Sequence, residues 1–187
     1  FGLNWLMVSK IPPLAVLQYG FLPFILAYFA CCFGGIYICR RSQNPALSFL
    51  GYNMIVVPFG FIVNLVVSRY SSTLVLEAIK VTGATTGLMM FAGAAYPKFF
   101  QKIAGALTLA LLAVIIVQLV QTFVFHTNPG IMDWIVAIIF CGYIGYDWSI
   151  ANQQTKTLDN AIDGAAALYM DIINLFLRVL SILGDRR

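Results

Sequence analysis

Long apolar runs separated by short polar breaks dominate the chain. Six of them occupy roughly residues 20 to 39, 46 to 67, 73 to 96, 101 to 125, 131 to 153 and 161 to 183, and each is about the 20 residues that a helix needs to cross a bilayer. None shows the strict two-residue alternation of a barrel strand, so the pattern predicts helices. Residues 1 to 9 are apolar but too short to span, and they end at Lys10 and Pro12-Pro13. They read as the end of a truncated first helix, with some N-terminal sequence missing before Phe1. The expected fold is an all-α polytopic membrane protein of seven transmembrane helices, forming one domain over residues 1 to 187.

Turn and polar chemistry marks the breaks: Arg40-Arg41-Ser42-Gln43-Asn44-Pro45, Ser68 to Ser72, Tyr96-Pro97-Lys98, His126-Thr127-Asn128-Pro129-Gly130, and Asn152 to Asp163. Loops this short make sequential helices antiparallel neighbours. Arg40, Arg41, Lys98, Lys102 and Lys156 then share one side, against Lys10, Arg69, Arg186 and Arg187 on the other, which favours the Arg40 side as cytoplasmic. Gly83 and Gly87, and the series Ala137, Cys141 and Gly145, have the four-residue spacing that lets membrane helices approach closely. Pro58 inside the third run is a site for a kink that frees a carbonyl.

Composition agrees with the pattern and removes several alternatives. The 187 residues are 61% hydrophobic and 10% charged, with a mean hydropathy of +0.89, far from the roughly 25% charge of a soluble domain. The partner implied first is the lipid bilayer. Eleven Lys and Arg residues give a net charge of +4, but they are scattered rather than clustered, which argues against nucleic acid as a partner. Cys31, Cys32, Cys39 and Cys141 lie in apolar runs without metal-binding or disulfide spacing. They read as buried, inert thiols. His126, the single histidine, falls in a loop and reads as solvated, so no transition-metal site and no cofactor are expected.

Ionisable groups inside a span cost at least a few kcal/mol and so mark function. Asp147 and Asp171 are the two that matter. At about 1.5 Å per residue, Asp147 lies ~11 Å in from the Gln154 end of its helix and Asp171 ~15 Å in from the Ala161 end of the next. One short loop joins those ends, so the two carboxyls reach similar depth on antiparallel neighbours. If their oxygens meet, both cannot ionise cheaply, and the pair titrates as a unit. Arg40 and Arg41 end the second helix on the same side, within snorkelling reach. The blander alternative satisfies Asp171 along its own helix through Asn174 and Arg178. Asp163, Asp171, Asn174 and Arg178 nevertheless form a polar stripe suited to a helix surrounded by others.

Glu77 and Lys80, one turn apart, read as a mutually neutralising pair, with Glu77 also a candidate cation entry point. Signatures of serine hydrolases, zinc proteases and phosphate-binding loops are absent from the sequence, and the chain is not expected to be an enzyme. A minor alternative is an intramembrane aspartyl protease, because Tyr146 precedes Asp147. Those enzymes pair Tyr-Asp with Gly-x-Gly-Asp, whereas Asp171 follows Leu168-Tyr169-Met170 and Gly-Asp occurs only at Gly184-Asp185.

The stretches Gly145-Tyr146-Asp147-Trp148, Lys156 to Ala161, Leu168-Tyr169-Met170-Asp171-Ile172-Ile173-Asn174-Leu175-Phe176-Leu177 and Leu183-Gly184 together resemble the C-terminal signature of the Bax inhibitor-1 family. Leu76-Glu77-Ala78 is a weaker match of the same kind. The resemblance implies a seven-helix bundle with the last helix central, acting as a pH-sensitive calcium leak channel. It makes Asp147 and Asp171 the pH sensor and a weak, transient Ca²⁺ site, with an arginine latch at Arg40 or Arg41. From the residues alone, Asn174, Arg178 and Glu77 are candidates for a secondary polar pathway. Ca²⁺ enters as the transported ion, and only the resemblance supplies it. Trp148-Ser149 looks more like the bacterial branch of the family, implying a bacterial plasma membrane. The competing expectation is a non-conducting regulator that binds another membrane protein, such as a protease or a cell-death component.

Overall fold

In the computed structural model, residues 2–10, 21–42, 44–125 and 130–185 are described. His126, Arg186 and Arg187 lie outside them. Seven α-helices follow one another, with no strand among the described residues: α1 (Gly2–Lys10), α2 (Phe21–Arg41), α3 (Pro45–Val67), α4 (Ser72–Ala95), α5 (Pro97–Val120), α6 (Ile131–Gln153) and α7 (Leu158–Gly184). A π-helical turn, Gln121–Phe125, extends α5. Five helices, α3 to α7, are long and apolar enough to cross a membrane, while α2 contributes the shorter apolar stretch Pro23–Cys39. Large apolar side chains such as Phe33, Leu88, Phe91, Leu109 and Ile138 point outward, which water would penalise and acyl chains do not. The protein is a multi-pass integral membrane protein.

Local chemistry sets where the helices start. Pro45 opens α3, and Asn44 caps it by accepting from the Ala46 amide at 3.0 Å, the role its short side chain is suited to. Pro97 opens α5 four residues earlier than the apolar pattern suggests, because proline at the first helical position gives up an amide that has no partner there anyway. Thr157 does the same service for α7: its hydroxyl accepts from the Asn160 amide at 3.2 Å, starting that helix at Leu158 rather than 161. α3 continues as one helix through Pro58.

The helices form two compact units. The first contains α1 to α3 and α7 through Tyr169. Here α2 and α3 pack backbone to backbone. A Cβ on Gly35 would lie 2.6 Å from the Gly51 carbonyl oxygen, and one on Gly51 would lie 2.8 Å from that of Gly35. Tyr169 inserts its ring between Tyr52 and Phe59, 6.3 and 6.2 Å away edge-on, and its hydroxyl donates to the Val56 carbonyl at 3.4 Å.

The second unit contains α4 to α6 and α7 from Met170 onward. The close approach of α4 to α6 occurs at Gly93 and Gly145, where a Cβ on Gly93 would run into the Gly145 backbone. On α5, Phe100 fills the space beside Gly145 and Leu107 the space beside Gly142. Gly83 and Gly87 do not serve as the seam expected from their spacing: among the described residues, no neighbouring helix comes within 4 Å of where a Cβ on either would lie. The buried stripe of α4 runs through Leu74, Ala78, Thr82, Thr86 and Gly93. Both glycines sit one residue, about 100°, round from it.

Candidate functional site

α6 and α7 carry Asp133, Asp147, Asp171 and Arg178 of the second unit. Gly145 is held against α4 by Gly93 and against α5 by Phe100. A residue two positions further along a helix points about 200° away, so this anchoring turns Asp147 from α4 and α5 toward α7. There its carboxyl hydrogen-bonds that of Asp171. Asp171 is 7% exposed, and its Oδ2 is buried with no hydrogen-bond partner among the described residues. Were both to ionise, two like charges would stand side by side in a setting of low dielectric.

The local alternative for Asp171 is not what the structure shows. Asn174 donates back to the Met170 carbonyl at 2.8 Å, and Arg178 turns to α6, where its Nη1 lies 2.6 Å from Asp133 Oδ1. Nη2 of Arg178 also donates to Gln118 Oε1 at 3.4 Å, and the Ser181 hydroxyl donates to Asp133 Oδ2 at 2.6 Å. Asp133 lies in the first turn of α6, where a negative charge meets the favourable end of the helix dipole.

Asp133 is the residue that sequence reasoning missed. A signal existed: a lone carboxylate just inside an apolar run, beyond a proline-glycine break, requires a cation near the matching end of a neighbouring helix. Arg178 is the cation so placed.

In the first unit, Asp159 accepts a 2.6 Å hydrogen bond from the hydroxyl of Ser48, a fully buried residue. Asp163, one turn along α7, lies beside Cys39, whose thiol donates to the Ser48 carbonyl at 3.5 Å. Arg41 stacks over Tyr37, 5.6 Å from the ring centre. The Arg40 side chain is not among those described. Both arginines close α2 in the first unit, whereas Asp147 and Asp171 belong to the second. Glu77 is half-buried on α4, and Lys80 is exposed.

Comparison with known proteins fits this polar-lined membrane architecture. The sequence profile of the family described as "Inhibitor of apoptosis-promoting Bax1" matches residues 1–187. An uncharacterized protein of Deinococcus radiodurans is 28% identical over 177 residues, covering 88% of this chain and 74% of the relative. The BI1-like protein of Arabidopsis thaliana is 30% identical over 167 residues, covering 87% and 62%. An uncharacterized membrane protein of Streptococcus pyogenes serotype M6 is 28% identical over 160 residues, covering 78% and 66%. The chain thus spans between about three fifths and three quarters of the length of these relatives.

Proposed function

The chain belongs to the Bax inhibitor-1 family, and from that premise we propose that it is a passive, pH-gated cation pathway whose transported ion is Ca²⁺. The observation that carries the reading is the contact between the Asp147 and Asp171 carboxyls, with Asp171 Oδ2 left as a buried acceptor. A group of this kind inside a span is costly unless it serves a polar pathway. Gain or loss of a proton by the pair changes the charge that it presents to an ion and to any basic partner. Arg40 or Arg41 supplies the latch in this scheme, on the strength of the family resemblance. The deprotonated pair holds the latch, and protonation loosens it.

Ca²⁺ takes six to eight oxygen ligands, more than two carboxyls provide, so the pair acts as a weak transit site completed by water and carbonyl oxygens. Conduction requires this weakness, because the ion must leave again. No covalent chemistry is involved in the scheme. The proposed setting is a bacterial plasma membrane, from the match of Trp148-Ser149 to the bacterial branch of the family.

A second reading is a non-conducting regulator that binds another membrane protein, and the open, exposed Gly83 and Gly87 face of α4 favours it, since small residues admit a partner helix. Reconstitution separates the two. Purified protein in otherwise protein-free vesicles passes Ca²⁺ under the channel reading, since a pore requires no partner. Flux no greater than that of empty vesicles at every pH would favour the regulator.

A further inference from the structure

We propose that the second unit holds a headgroup site for an aminophospholipid of the surrounding bilayer, built on the ion pair of Asp133 and Arg178. The end of α5 with its π-helical turn, the first turn of α6 and the last turns of α7 border a half-open cleft of about 340 Å³. That lies within the range of about 300–1,000 Å³ typical of small-molecule sites. Its polar lining comes from Gln118, Gln121, Thr122, Asp133, Arg178 and Ser181. The π-helical turn begins at Gln121. Insertions of this kind re-aim side chains and recur at functional sites.

In the proposed site the cleft opens at a membrane–water boundary. Three helix ends meet there, and Phe123, Val124, Phe125, Ile131 and Trp134 beside it are exposed. A tryptophan exposed near a helix end, here Trp134, belongs at headgroup level. A polar cavity bordered by outward-facing apolar side chains suits a ligand with a polar head and greasy tails better than a wholly water-soluble one.

The charge arrangement selects the head. Asp133 and Arg178 together are neutral, so an anion that approaches Arg178 meets repulsion from Asp133, and a cation meets the reverse. A group carrying a phosphate and an ammonium a few ångströms apart finds a partner for each. Arg178 has five N–H donors, of which Asp133 and Gln118 engage two, and its planar fork matches phosphate oxygens. Asp133 keeps lone pairs beyond those used by Arg178 and Ser181. A primary ammonium can donate to them, whereas a quaternary choline nitrogen has no N–H to offer. The site therefore prefers phosphatidylethanolamine over phosphatidylcholine, which lacks the donor, and over phosphatidylglycerol, which lacks the cation.

The test is thermal unfolding of the full purified chain in detergent while each of the three lipids, or soluble phosphoethanolamine, is titrated in. Phosphatidylethanolamine should raise the midpoint saturably, with at least tenfold higher apparent affinity than either other lipid or the soluble headgroup. Arg178→Gln should abolish that preference. Gln121→Leu lines the cavity outside the ion pair, so it reads the site even if the arginine variant fails to fold, and it should weaken the effect several-fold. Equal shifts with phosphatidylcholine or phosphatidylglycerol would overturn the zwitterion assignment. An equal response to soluble phosphoethanolamine would overturn the bilayer as source, and an undiminished effect in folded Gln121→Leu would place any lipid effect elsewhere.

Discussion

Gly93 on α4 and Gly145 on α6 lie so close that a methyl group on Gly93 would occupy the space of the Gly145 backbone. This contact fixes the rotation of α6 two residues before Asp147, and it thereby aims the carboxyl at Asp171. Membrane helices rely on such close approaches because lipid removes the hydrophobic drive between them.

Two glycine-to-alanine changes in the same helix should therefore act in opposite directions. Gly93→Ala forces α4 and α6 apart and is expected to cost about 1–3 kcal/mol, the usual penalty of overpacking. Gly87→Ala faces open space and should stabilise α4 by up to about 1 kcal/mol through helix propensity. Thermal midpoints in detergent report both.

Breaking the Asp133–Arg178 pair should be costly from either side. Arg178→Gln leaves Asp133, 14% exposed, without its cation. The cost expected is about 2–3 kcal/mol, below the ~3–5 kcal/mol of a fully buried pair because the arginine is one-third exposed. Combining it with Asp133→Asn removes the orphaned charge and should recover part of the loss. A double-mutant cycle on unfolding measures that recovery as a coupling energy; strictly additive single effects would contradict the pairing.

Ser48→Ala removes a 2.6 Å hydrogen bond from a buried hydroxyl to Asp159. Bonds to charged groups are worth about 1.5–3 kcal/mol, and the partial exposure of Asp159 places the expected loss at the lower end. Ser48→Thr retains the hydroxyl but adds a methyl in a fully buried position, so it should not be neutral either. Chemical denaturation of the two variants compares the lost bond with the added bulk.

The fold class was legible because lipid imposes a simple rule: a span must be apolar for about 20 residues, and the polar breaks interrupt that pattern visibly. Asp147 and Asp171 were legible for a related reason, since charges are rare inside spans and each is measured along a helix of known rise. The neighbours of Asp171 were not. Arg178 sits at helical spacing from Asp171, yet it pairs with Asp133, 45 positions away, and a long flexible side chain leaves that choice to packing. Spacing alone also could not show which side of α4 is buried: Gly83 and Gly87 repeat at the same interval as the buried Thr82 and Thr86, one residue out of phase. The π-helical turn at Gln121–Phe125 has no apolar signature, since the run continues unchanged through it.

The most direct test of the gating account is Ca²⁺ flux into liposomes containing the purified chain, measured from mildly acidic to mildly alkaline pH beside Asp147→Asn and Asp171→Asn variants of verified helicity. The coupled carboxyl pair predicts flux that changes with pH in the parent and a flattened profile in both variants. A folded Asp171→Asn protein with the parent's pH profile would contradict it.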